Sequence, residues 1–361
     1  MQSNQAIPIN KENFKQIFSK QFVLVILISI PSAIIAEYFN IPLAWFLGPM
    51  LITSLASLMG LKIKMPRLVL SSILILLGLY IGNYIDKSLF AQMHQWAWTS
   101  LIMLIYIVLS VLIVSKYLQI FSKYDRKTSI FSAAPGALGP LMILAEDEKT
   151  DLSQVATSHL IRLIIIISIF PFIVNSFYDV ESVKVVEEVI RNQNSTDLII
   201  LIISSIVLIY FFDKLKIPAA LLSGTLFASG FLQISEIATY QFSPNIIDYC
   251  LLILGASVGC RFANKTFSEI GRNALHSFVA TLLLVLLGLL AAFVAGLIID
   301  KNFFTLLLSY CPGGIYEVAV IAIFFNLDPE FVSFHHIIRL LMILFIVPLM
   351  LKIISKKPNI N

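Results

Sequence analysis

The residue types in this chain that could do chemistry come in matched pairs. His159-x-x-Arg162 and His336-x-x-Arg339 each place an imidazole and a guanidinium one helical turn apart on one face, inside long apolar stretches. Near each pair stands an element that no helix can run through smoothly. Ala134-Pro135-Gly136-Ala137-Leu138-Gly139-Pro140 interrupts one apolar run, and Cys311-Pro312-Gly313-Gly314-Ile315-Tyr316-Glu317 interrupts another. Proline deletes a backbone donor and glycine weakens a helix, so the backbone should break at both places. Half-helices that start at such a break carry free N–H groups and a positive dipole end, which suit an anion or a carboxylate. Pro135, Gly136, Gly139, Pro312, Gly313 and Gly314 are therefore candidate ligand-binding positions. Arg162 and Arg339 can add anion-facing charge, pair with Asp151 or Asp328, or reach back to the membrane surface. Glu317 is an acid within an apolar element. There it can titrate, meet a cation, or close a helix terminus. His159, His336 and Asp328 complete the set that could exchange a proton or hold sodium.

These residues need an apolar scaffold, and the composition supplies one. Of 361 residues 58% are hydrophobic and 13% charged, with mean hydropathy +0.92. Such a composition lies far outside that of a soluble domain and predicts an all-α, multi-pass membrane protein. Apolar windows run from Gln21 to Ala36, Ile41 to Met59, Arg67 to Ile85 and Trp98 to Ser115. The broken segment Ser129 to Leu144 follows, and then a span from Ser158 to Val174. After a polar stretch at residues 179–197 the same order returns. The predicted organisation is a cytoplasmic segment 1–20, a membrane repeat 21–178, a linker 179–197, a second repeat 198–354 and a tail 355–361.

The duplication can be read residue by residue. Ile41-Pro42-Leu43-Ala44 and Gly48 answer to Ile217-Pro218-Ala219-Ala220 and Gly224, 176 positions on. Gly78-x-x-x-Gly82 answers to Gly255-x-x-x-Gly259, Pro135-Gly136 to Pro312-Gly313, Asp151 to Asp328 and His159 to His336, all 177 positions on. The G-x-x-x-G pairs predict seams of close helix packing. Glu37 and Asp213, in short turns before Ile-Pro, are expected to cap helix starts.

Charge then bears on orientation. Lys62, Lys64 and Arg67, and later Lys116, Lys123, Arg126 and Lys127, crowd two loops of the first half. In the second half residues 235–245 hold no Lys or Arg, whereas the next loop has Arg261, Lys265 and Arg272. Basic loops favour the cytoplasm, so the halves are expected to be inverted-topology repeats with both termini inside. Inversion needs an odd number of crossings in each half. The Pro-Gly element is thus expected to be a re-entrant or broken helix, beside about five transmembrane helices.

Several functions are disfavoured. A net charge of +4 concentrated in loops gives no warrant for nucleic-acid binding. Cys250, Cys260 and Cys311 lack metal-ligand spacing, and the adjacent His335 and His336 point to different faces, so no metal or other cofactor is expected. An integral-membrane enzyme would need a clustered metal or nucleophile set, and none is evident.

The motifs from Pro42 to Gly48, the two G-x-x-x-G pairs, Pro312-Gly313-Gly314 followed by Glu317, and the two H-x-x-R pairs resemble those of the AbrB family of duplicated bacterial membrane proteins. The resemblance spans residues 21 to 350. Members carry labels as regulators or as ammonia monooxygenases, and the family is distinct from the small soluble DNA-binding AbrB. This chain departs from the pattern at Pro135-Gly136-Ala137, where no acid follows. The resemblance implies a multi-pass protein of the bacterial inner membrane. The expected activity is secondary transport of a small anionic or zwitterionic solute coupled to protons or sodium, with homodimerisation allowed. The other expectation is a solute sensor that influences gene expression through a partner.

Overall fold

A computed structural model describes residues 11–85, 88–136, 138–148, 150–177, 194–243, 246–263 and 265–355. All the regular elements among these residues are helices. The first sequence half supplies α1 (Lys11–Ile17), α2 (Lys20–Tyr38), α3 (Ala44–Leu58), α4 (Arg67–Gly82), α5 (Ser88–Phe121), α6 (Arg126–Ala133), α7 (Leu138–Asp147) and α8 (Leu152–Phe177). The second half supplies α9 (Ser195–Lys214), α10 (Ala220–Ser235), α11 (Ile246–Cys260), α12 (Phe267–Gly296), α13 (Phe303–Tyr310), α14 (Ile315–Phe324) and α15 (Pro329–Ser355). Apart from α1, the order long, short, short, long, broken, long occurs twice. Among the described residues six helices are long and apolar enough to cross a bilayer: α2, α8, α9 and most of α5, α12 and α15. Most of the predicted linker lies outside the described residues.

The broken segments appear as two short helices each. At 1.5 Å per residue, α6 and α7 reach only about 12 and 15 Å, roughly half a hydrocarbon core. The start of α6 and the end of α7 are tied together. Lys127 Nζ meets Glu148 Oε2 at 2.7 Å, and the Thr128 hydroxyl accepts from the Asp151 amide at 3.1 Å.

Two compact units cut across the sequence halves. The first comprises residues up to 91, 170–267 and 319–330, and the second 92–169, 268–318 and 331 onward. In the first unit α11 packs on α3 and α4 on α10, so each seam joins one half to the other. The glycines set how closely. A methyl built on Gly255 would lie 2.2 Å from the Phe46 carbonyl oxygen, and one on Gly78 2.5 Å from that of Leu222. The Thr53 hydroxyl faces the Ala256 carbonyl at 3.3 Å, and its counterpart Ser229 faces that of Leu79 at 2.9 Å. These contacts recur with the halves exchanged. The turns repeat too. Asn40 and Leu43 take left-handed conformations, as do Lys216 and Ala219, and Ile41 and Ile217 donate to the Ala36 and Phe212 carbonyls.

One local expectation is corrected. Glu37 and Asp213 lie in the last turns of α2 and α9 rather than at helix starts. An acid at a helix C-terminus opposes the dipole. Glu37 instead accepts from the Trp45 indole at 3.2 Å.

Candidate functional site

The second unit contains α6, α7, α13, the first turn of α14 and both H-x-x-R pairs. Asp125 caps the start of α6 through the Lys127 and Thr128 amides, and its counterpart Asn302 caps α13 through the Phe304 amide. The other ends of these helices stop for one reason. A residue preceding proline is pushed out of the helical region, and Ala134 (ψ 129°) and Cys311 (ψ 131°) are both extended. A helix that stops inside protein leaves carbonyls in need of donors.

The H-x-x-R pairs supply those donors. His159 Nε2 contacts the Phe131 carbonyl at 3.0 Å and His336 Nε2 that of Leu308 at 2.9 Å. Arg162 donates to the Ala134 carbonyl at 2.6 Å and to that of Ser132. Arg339 donates to the Cys311 carbonyl, and at 2.6 Å to that of Gly313. Arg339 Nη2 also lies 3.0 Å from His336 Nδ1. A carbonyl can only accept and a guanidinium can only donate, so His336 is held as the neutral tautomer with its proton on Nε2.

The two Pro-Gly loops come together. Gly136 has φ +88°, and a methyl there would lie 2.6 Å from Arg339 Nη2 and 3.2 Å from the Gly313 carbonyl oxygen. Pro135, Gly136, Pro312 and Gly313 are all buried. Arg162 and Arg339 are 2% and 0% exposed, and neither has a carboxylate partner among the described residues. Their Nε atoms are buried without a hydrogen-bond partner. The two guanidiniums lie within electrostatic reach of each other and of the Tyr106 phenol from α5. Tyr310 stacks edge-on to Tyr106 at 6.2 Å and donates to the Thr99 carbonyl at 2.8 Å.

Glu317 is buried at the third position of α14. From there a capping glutamate can reach back to the start of its own helix. Its carboxylate lies over Gly314, where a methyl would stand 2.0 Å from Oε2.

A model of the AbrB family, described as transition state regulatory protein AbrB, matches residues 45–355. The chain belongs to this family. It is 24% identical over 322 residues to the protein named "Putative regulator AbrB" of Escherichia coli (strain K12), covering 88% of this chain and 91% of that one. It is 22% identical over 288 residues to "Uncharacterized protein YhjN" of Bacillus subtilis (strain 168), covering 76% and 75%. No solved structure matches.

For this AbrB-family chain, the predicted residues Pro135, Gly136, Arg162, Pro312, Gly313, Arg339, His159 and His336 assemble in one unit around two helix breaks. Gly314 and Glu317 stand at the start of α14. Gly139 lies in α7, and its surroundings are outside the described residues. Asp328 belongs to the first unit, before Pro329, with φ +41°. Its counterpart Asp151 accepts from the Gln154 amide at 3.0 Å and caps α8. Of the three predicted settings for Arg162 and Arg339, a carboxylate partner at Asp151 or Asp328 and the membrane surface are both replaced by helix-end carbonyls.

Sequence reasoning missed Tyr106, Tyr310, Thr99 and the role of His335, whose ring contacts Thr99 Oγ1 at 2.7 Å and the Phe331 carbonyl at 2.9 Å. The available signal was position. Tyr106 falls mid-span, far from the interfacial belt where membrane tyrosines concentrate.

Proposed function

We propose that this chain is a secondary-active transporter of a small anionic or zwitterionic organic solute, and that the solute binds where the two Pro-Gly loops meet. One observation carries the reading: two fully buried guanidinium groups, one from each repeat, flank that junction without a carboxylate ion pair among the described residues. Isolated buried charge is costly, and hydrogen bonds from carbonyls do not cancel it. Beyond the same breaks start α7 and α14, whose N-terminal dipole ends suit negative charge. An anion entering there would neutralise the excess. Glu317 is the titratable group proposed for coupling to protons or sodium. His336 suits that role less well, because a second ring proton would face Arg339.

In this reading the repeats are inverted across the cytoplasmic membrane of a bacterium, both termini are inside, and each broken helix is a re-entrant hairpin. The basic loops support the orientation, and the tie between Lys127 and Glu148 supports the hairpin. The chain would act as a transporter or a solute receptor rather than an enzyme, with the bilayer and its solute as partners, no nucleic acid, and homodimerisation allowed. The name of the E. coli relative favours a second reading, a solute-binding regulator acting through a separate protein.

The test is a thermal-unfolding screen of purified protein against small carboxylates, amino acids and amines, with and without sodium. Hits are then followed by uptake into proteoliposomes. A stabilising anion that is also accumulated supports transport. An anion that stabilises without being moved favours the receptor. Stabilisation by amines alone would overturn the anion site.

A further inference from the structure

The first unit is built twice over, yet its two ends differ. At one end Val25, Ala56, Ile63 and Ala256 form a buried cluster, with Phe22 and Met65 against it. The counterpart cluster at the other end is Leu201, Leu232, Ala238 and Leu79, with Tyr240 and Phe242 against it. There residues 236–242 close the scaffold: Asn83 donates to the Tyr240 carbonyl at 3.2 Å, and the Thr239 amide donates to Asp197 at 3.2 Å. No Lys or Arg occurs at residues 235–243. The first end holds a cavity of about 840 Å³. Lys62 and Lys64 from the loop after α3, and Arg261 and Lys265 from the loop after α11, line it.

We propose that this cavity binds a phosphate-bearing anion, with the headgroup of an anionic phospholipid as its source. Four cations from two chain segments converge on one space, and the counterpart end shows that the scaffold folds without them. The volume is that of a small-molecule site. Its walls are amphipathic: Leu58, Leu61 and Met65 line it beside the cations, and neighbouring Met59 and Leu61 are exposed. A lipid presents that same combination of phosphate and apolar chain, and basic pockets between transmembrane helices on the cytoplasmic side bind anionic headgroups. A free phosphate would use the cations alone.

The full chain is purified in neutral detergent and its thermal unfolding followed with phosphatidylglycerol, phosphatidylcholine or inorganic phosphate. Phosphatidylglycerol is expected to raise the midpoint by several degrees and phosphatidylcholine is not. Lys62→Gln/Lys64→Gln/Arg261→Gln/Lys265→Gln should lose more than half of that shift. A control that removes as many exposed charges elsewhere, Lys116→Gln/Lys123→Gln/Lys214→Gln/Lys216→Gln, should retain it. Millimolar inorganic phosphate reproducing the shift supports the phosphate site and assigns it to a soluble anion. Equal shifts in the cavity variant and the parent, or an equal response to phosphatidylcholine, would overturn the proposal. Should the fourfold variant fail to fold, Arg261→Gln alone is measured. Its apparent affinity for phosphatidylglycerol should fall several-fold, and an unchanged affinity overturns the proposal equally.

Discussion

The two broken helices correspond at a spacing of 177, and three of their differences bear on the site. Position 137 is alanine where its counterpart 314 is glycine, position 140 is proline where 317 is glutamate, and the two arginines choose different second carbonyls. Arg162 turns back to Ser132, inside α6, whereas Arg339 reaches past its proline to Gly313 and also meets His336. The first two differences are coupled by space. The Glu317 carboxylate occupies the room a side chain at 314 would need, so glycine goes with the acid. Where proline replaces the acid, that constraint lapses and alanine stands in the sequence. One copy is therefore a simple break, and the other a break with a titratable group built over it.

The largest effect should separate the arginines. Arg339→Ala strands the Cys311 and Gly313 carbonyls and frees His336, a cost of about 3 to 5 kcal/mol since hydrogen bonds to charged groups contribute about 1.5 to 3 each. Arg162→Ala strands two carbonyls but no imidazole, and should cost about 1 kcal/mol less. Neither loss should be repaired by lysine, which keeps the charge but lacks the planar fork that reaches two carbonyls. Thermal unfolding of the purified variants measures the difference. Equal losses would mean that the two clamps are equivalent despite their geometry.

The next effect distinguishes the loops. Gly136→Leu forces a side chain into a left-handed backbone and against the Arg339 guanidinium, with an expected loss of about 2 to 4 kcal/mol. A methyl on Gly313 would meet the Val318 side chain at 2.6 Å and those of Ile166 and Cys311 at 3.6 and 3.9 Å, with no unusual φ. Gly313→Ala should cost about 1 kcal/mol or less. If Gly313→Ala proved the more damaging, the close approach of the two loops would be the wrong account of why glycine is needed.

How much of this was legible beforehand depended on whether a feature leaves its mark in residue type. The duplication, the two breaks and the glycine seams did, because proline, glycine and a spacing of 176 to 177 survive in the letters. The partners of Arg162 and Arg339 did not. Every residue carries a carbonyl, so a guanidinium that caps a helix end looks in sequence like one awaiting a carboxylate. The left-handed turns at Leu43 and Ala219 were hidden for a related reason: neither residue favours that conformation, and only the surrounding helix ends hold it. Nor could spacing reveal that the compact units would each draw on both halves. That exchange is fixed by which glycine faces which carbonyl across the seams.

A smaller effect probes the coupling of glycine to acid. Gly314→Ala should displace the Glu317 carboxylate and cost about 1 kcal/mol, comparable with the loss of a helix cap. In a Glu317→Ala background the same change should be nearly neutral or slightly stabilising, because alanine lowers the entropy of the unfolded chain. A double-mutant cycle on unfolding free energies reads the coupling directly. A coupling near zero would mean that the glycine and the acid are independent accidents of the second repeat.

The smallest effect on stability is the most telling about function. Glutamine can occupy the same capping position as glutamate, so Glu317→Gln preserves the reach back to the helix start and should change stability by no more than about 0.5 kcal/mol. If the acid only closes α14, nothing else should change, and solute binding should keep its dependence on pH and sodium. If the acid is the coupling group, binding or uptake of the identified anion should lose that dependence while the fold stays intact. Alanine would confuse these outcomes by removing the cap together with the charge. The isosteric change deletes only the titration. A Glu317→Gln protein that binds and moves its solute with parental pH and sodium profiles would reduce the second break to the same structural role as the first, and would leave the two arginines as the site's only charged determinants.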